Sequence, residues 1–150
     1  MRKKYMLCFF CCLLLIVVGG GTATAQGTKT KKKVKPIICA VSNYYECSLD
    51  DGCQQKSAVE LNAPQFFKLL LDKKEIHLLG RSAGENQVSK IKNLTLVNGV
   101  IIIQGAESGN SDRKDGIGWT ISINEKTGKM AFTASGDETG YVGMGMCTVY

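Results

Sequence analysis

The chain has a single histidine, His77, among 150 residues, and that scarcity removes whole classes of chemistry. A structural zinc site is built from four Cys or His ligands, and the cysteines here are better used in disulfides, so no metal site is expected. The string Gly80-Arg81-Ser82-Ala83-Gly84 matches the G-x-S-x-G nucleophile elbow, which needs a strand-to-helix turn with an acid and a histidine downstream. His77 precedes Ser82 and no crossover helix is legible. The string therefore reads as a glycine-rich turn, and His77 as a strand-face residue beside Leu78. An EF-hand loop is missing as well. With Gly116 at the sixth position, Ser111 falls first and Arg113 third, so Asn110, Asp112 and Asp115 do not form the pattern. Asp50-Asp51 and Asp137-Glu138 read as turn residues. No cofactor is expected and no catalytic residue is assigned.

Long apolar runs are also scarce. The stretch from Met6 to Val18 falls short of the roughly 20 residues that cross a bilayer as a helix. Arg2-Lys3-Lys4 before it and Ala23-Thr24-Ala25 after it make residues 1–25 a secretory signal peptide, cleaved after Ala25. Cys8, Cys11 and Cys12 leave with the peptide, so Cys39, Cys47, Cys53 and Cys147 remain. An even number of cysteines in an oxidising compartment pairs as two disulfides, and three connectivities are open. The expected location is periplasmic or secreted. Export also removes the prenylation reading of the final Cys147-Thr148-Val149-Tyr150.

The formal charge of +6 is misleading. Without Arg2, Lys3 and Lys4 the 19 basic residues become 16, against 13 acidic. Five of those 16 are Lys29, Lys31, Lys32, Lys33 and Lys35, which make residues 26–36 a basic flexible arm; the domain from 37 to 150 is slightly acidic. A lysine tract without apolar periodicity is a solvated tail, and Lys31, Lys32 and Lys33 are candidates for contact with an anionic envelope surface. A folded part lacking a basic aromatic stripe argues against nucleic acid as a partner.

Helix periodicity is nearly absent after Ile37, and alternation takes its place. Ile117, Trp119, Ile121 and Ile123 alternate with Gly118, Thr120, Ser122 and Asn124, and Met130, Phe132 and Ala134 return after a turn at Gly128. Asn98-Gly99 between apolar runs predicts a type I′ hairpin. Strands are expected over 37–47, 66–71, 75–79, 88–97, 100–103, 117–123, 130–134 and 141–148, with residues 54–63 holding no more than a single helical turn. About eight antiparallel strands in a meander predict an all-β, up-and-down barrel, with a β-sandwich as the alternative. In such a barrel the first and last strands are neighbours. Cys39 would then meet Cys147 across the seam, while Cys47 and Cys53 close a local loop. Gly143 and Gly145 suit a bend or close approach in the last strand.

Tyr45-Glu46-Cys47, Asn62-Ala63-Pro64-Gln65-Phe66, Ile103-Gln104-Gly105, Gly118-Trp119-Thr120-Ile121, Thr127-Gly128-Lys129-Met130 and Gly145-Met146-Cys147-Thr148 carry a resemblance. Together they resemble a family of small exported proteobacterial proteins of unassigned function. The outline is also similar to periplasmic lysozyme-inhibitor barrels. The resemblance implies a fold and no activity. Trp119 is expected in the core, and of Tyr44 and Tyr45, on opposite faces of a regular strand, one is available at the surface or at a barrel mouth. The expected function is a non-enzymatic, exported, disulfide-stapled binding module for an envelope component or a protein partner. The alternatives are a lysozyme-inhibitor-like protein and, third, a hydrolase.

Overall fold

The computed structural model describes residues 34–80, 87–108 and 116–148. Nine strands form one antiparallel sheet. They are β1 (Ile37–Ser48), β2 (Gly52–Lys56), β3 (Phe66–Leu70), β4 (Glu75–Leu79), β5 (Gln87–Val97), β6 (Val100–Glu107), β7 (Ile117–Asn124), β8 (Lys129–Ser135) and β9 (Thr139–Cys147). From β3 to β9 each strand pairs with the next in sequence, and β1 pairs with both β3 and β9. Eight strands therefore close into an up-and-down barrel, which decides against a sandwich.

β2 is the strand the sequence reading left in a turn. Its residues Gly52, Cys53, Gln54 and Gln55 are all exposed, so it has no alternation to read. It exists because β1 is longer than β3. Ile37 to Ala40 pair with β3, whereas Tyr44 to Ser48 run past the end of β3 and pair with β2 instead. Gly52, at φ +68, closes the hairpin, and the Asp51 N–H donates to Ser48 Oγ at 3.1 Å. The hairpin between β5 and β6 turns on Asn98 and Gly99, both at positive φ, as the Asn-Gly pair predicts.

On β7 and β8 the barrel wall sorts its side chains by polarity, whereas Val88, Leu94, Leu96 and Val97 of β5 and Met144 and Met146 of β9 are apolar and exposed. Ile121 and Ile123 of β7 point inward and are fully buried, while Thr120, Ser122 and Asn124 face out. Met130 and Ala134 of β8 are buried, and Lys129, Ala131, Thr133 and Ser135 are exposed. Each fully buried Ile or Leu contributes about 1.5–3 kcal/mol through its removal from water.

Cys39 pairs with Cys147 across the β1–β9 seam, and Cys47 with Cys53 across the β1–β2 hairpin. Cys39 is completely buried, so the first bridge is part of the core. Next to it, Gly145 lies so close to β1 that a Cβ there would sit 1.9 Å from the Ala40 carbonyl oxygen. That is the close approach predicted for the last strand.

The two ends of the barrel differ. At the end carrying the turns at 71–74, 98–99 and 125–127, Ile37, Leu69, Ile91, Ile103, Ile123, Met130 and the Cys39–Cys147 bridge pack together. The opposite end is crossed by residues 57–65, which join β2 to β3.

Candidate functional site

A cavity of about 470 Å³ occupies that second end of the barrel. Its volume lies within the range of small-ligand sites, roughly 300–1,000 Å³. Phe67, Ile76, Ile121 and Phe132 line its inner part, the two phenyl rings meeting at 5.2 Å between centroids. Toward the mouth it is walled by Tyr44, Leu78, Glu107, Ile117, Trp119, Ala134 and Tyr141. Leu61, Asn62, Ala63 and Pro64 lie across it.

The covering segment is held by local chemistry. Ser57 and Glu60 cap one hydrogen-bonded turn reciprocally: the Glu60 N–H donates to Ser57 Oγ at 3.2 Å, and the Ser57 N–H donates to Glu60 Oε2 at 2.7 Å. The turn ends where Asn62 takes φ +46 and the Ala63 N–H reaches back to the Ala58 carbonyl at 2.8 Å. Where a single helical turn is expected in 54–63, residues 54–56 belong to β2 and 57–63 form a hydrogen-bonded turn without a helix. The hydroxyl and N–H of Ser57 hold the Glu60 carboxyl below the usual carboxylate range. Further along, the Val41 N–H donates to the Gln65 carbonyl at 3.0 Å, and the Tyr44 hydroxyl donates to the Pro64 carbonyl.

Tyr44 is the inward member of the tyrosine pair. It is 3% exposed and faces the cavity. Regular alternation from Cys39 would have turned Tyr45 inward. A bulge between Val41 and Asn43, where β1 shifts register against β9, inserts one residue and exchanges the faces. Tyr45 is accordingly the outward member, half-buried between Gln55 of β2 and Val142 of β9. Gly143 makes room behind Tyr44, since a Cβ there would stand 3.2 Å from the Tyr44 ring and 3.1 Å from Phe132.

Trp119 takes the interior position its alternation predicts, and its surroundings give it a second property. It stands opposite Gly105 in the β6–β7 ladder, and the indole lies over that glycine so closely that a Cβ would be 2.1 Å from Cζ2. The ring is only 9% exposed, and its Nε1 is buried without a hydrogen-bond partner among the described residues. Leaving a buried donor unsatisfied costs about 1–3 kcal/mol, so this N–H is a feature that the fold tolerates rather than uses.

The Glu107 carboxylate lines the cavity. The hydroxyl of Ser89, itself 3% exposed, donates to Glu107 Oε1. Glu46 stands opposite Tyr141 in the β1–β9 ladder. Burial, and after it the Glu46 charge and hydrogen bond, push the Tyr141 hydroxyl above its ordinary pKa. Neither carboxylate was singled out from sequence. Glu107 ends β6, and its inward direction follows only from sharing a face with Ile103 and Gly105.

The remaining candidates lie elsewhere. His77 is on the outer wall, with Nε2 at 3.5 Å from Glu75 Oε2, and Lys90 Nζ is 2.6 Å from the same carboxylate. Lys31, Lys32, Lys33, Ser82, Asn110, Asp112 and Asp115 are outside the described residues. Asp50, Asp51, Asp137 and Glu138 occupy turns. Among the described residues no three of His, Cys, Asp and Glu converge as metal ligands would, and no helix is long and apolar enough to cross a membrane. Comparison with protein-family models, with curated proteins and with solved structures finds no match to this chain.

Proposed function

We propose that this chain is an exported, non-enzymatic binding module that takes an apolar envelope component into the open end of its barrel. The observation that carries this reading is the 470 Å³ cavity, walled by aromatic and aliphatic side chains with a few polar groups at its mouth. A barrel that needed only to be stable would close that end with the same isoleucine and leucine packing that fills the other. Two disulfides are compatible with an oxidising compartment. The lysine arm acts as an auxiliary tether to anionic envelope surfaces.

Trp119 is the only tryptophan and lines the cavity, so its fluorescence reports occupancy directly. Titration with N-phenyl-1-naphthylamine, an uncharged apolar dye, is expected to quench it saturably at one dye per chain. Emission indifferent to the dye would overturn the reading. Deleting Lys29 to Lys35 should weaken association with envelope vesicles at low salt and leave dye binding intact; unchanged association at low and high salt would remove the tether.

A further inference from the structure

One strand of the barrel keeps an edge that the sheet does not fill. Gln87 to Lys90 of β5 pair with β4, and the Ile91 N–H donates to the Lys74 carbonyl at 2.9 Å. From Asn93 to Val97 the ladder partners of β5 lie on β6 alone, so among the described residues the other side has none. Val97 and Val100 close a two-residue hairpin through Asn98 and Gly99, and such a closing pair is hydrogen-bonded. Hydrogen-bonded pairs alternate along an antiparallel ladder, so Thr95 also bonds to β6. The N–H and C=O groups of Leu94 and Leu96 are directed at the open side.

Strand edges are ordinarily blunted by charge, proline or short length. The free edge of β2 follows that rule, carrying only Gly52, Cys53, Gln54, Gln55 and Lys56. On β5, Lys92 and the bulge between Ile91 and Asn93 guard one end, but Asn93-Leu94-Thr95-Leu96-Val97 has neither charge nor proline. Leu94 is 46% exposed and Leu96 59%, both on the face they share with their ladder partners Ile103 and Ile101.

The strand that matches this edge is its own copy, because an antiparallel pair of identical strands closes on a two-fold axis. With Thr95 opposite Thr95 of the partner subunit, Leu94 meets the partner's Leu96 on one face, and Lys92 meets the partner's Asn98 rather than a like charge. Residues 26–33 of the arm are glutamine, glycine, threonine and lysine, with no large apolar side chain to set against the leucines. We propose that the mature protein forms a two-fold dimer by antiparallel pairing of its β5 edges from Lys92 to Asn98. A single strand a side is far below the roughly 20–30 residues of a standard interface, so the association is weak and reversible. It brings the packed ends of two barrels together and leaves both cavity mouths free.

Sedimentation of the mature protein from about 10 μM to about 1 mM is expected to show a monomer–dimer equilibrium. Leu96→Lys sets a charge against the partner's Leu94 and should weaken the dimer at least about tenfold. Leu49→Lys, at an exposed turn residue outside β5, should leave it unchanged. Thr95→Cys reads the register, since opposite residues of a non-hydrogen-bonded pair stand about 4.5 Å apart at Cα, within disulfide reach. Oxidation should cross-link Thr95→Cys chains in pairs and leave Val97→Cys chains single, with circular dichroism confirming that each variant is folded. A protein that stays monomeric throughout overturns the proposal, as does a dimer indifferent to Leu96→Lys or not cross-linked by Thr95→Cys. Dimerisation only after deletion of residues 26–33 overturns it too, and assigns the edge to the arm.

Discussion

Gly105 and Trp119 behave as one unit. The indole fills the space that a side chain at 105 would need, with a Cβ there also 2.7 Å from the Lys90 carbonyl. Gly105→Ala should therefore cost about 1–3 kcal/mol by overpacking and shift the Trp119 emission, measured by chemical denaturation and fluorescence. A silent substitution would mean that the indole is mobile. Phe67 tests the opposite error. It is 1% exposed against Phe132, and Phe67→Ala should lose about 3–5 kcal/mol with an unchanged denaturant slope. The interior place of Trp119 was legible because three isoleucines share its alternation. Its unpaired N–H was not, because hydrogen-bond satisfaction depends on strands distant in sequence.

At the level of elements, periodicity located the strands wherever one face is wet and the other dry. It failed at β2, exposed along nearly its whole length, and it left open which of the two tyrosines faces inward, a choice made by a bulge. Nothing local announces a bulge, since the extra residue is accommodated by the partner strand β9. The capped turn at 57–63 has a sequence signal that went unread, the Ser57-x-x-Glu60 capping box. Its carboxyl gives a prediction about acid. The folded pKa of Glu60 lies below its unfolded value, so its contribution is fully present above the unfolded pKa and is lost as pH falls through the depressed folded one. Glu75, held low first by Lys90 and then by His77, acts in the same direction. Ser57→Ala should therefore flatten the acid limb of the plot of melting temperature against pH, whereas a substitution at the fully exposed Leu49 should leave it unchanged.

For the molecule as a whole, the two disulfides divide their work by the length of chain each closes. Cys39–Cys147 spans 108 residues and Cys47–Cys53 spans 6. Replacing the first pair by alanine should cost about 4–5 kcal/mol and replacing the second on the order of 2 kcal/mol, on the loop-entropy account. Thermal denaturation of the two double variants checks the order, and equal losses would contradict it. The long bridge also lies in the packed end of the barrel, so its loss should loosen the core as well as lengthen the unfolded chain. By itself the sequence determined the all-β class, the meander, most of the strands, and the cysteine pairing that a closed seam requires. These follow from alternation, turn residues and adjacency, which are properties of neighbouring residues. Only the tertiary structure decided that the barrel is packed at one end and hollow at the other, that Tyr44 rather than Tyr45 faces inward, and that Glu107 and Trp119 line one cavity. A cavity is the volume left when eight strands and a crossing segment have been placed. No local pattern encodes it, because every residue that lines it would look the same in a core that was full.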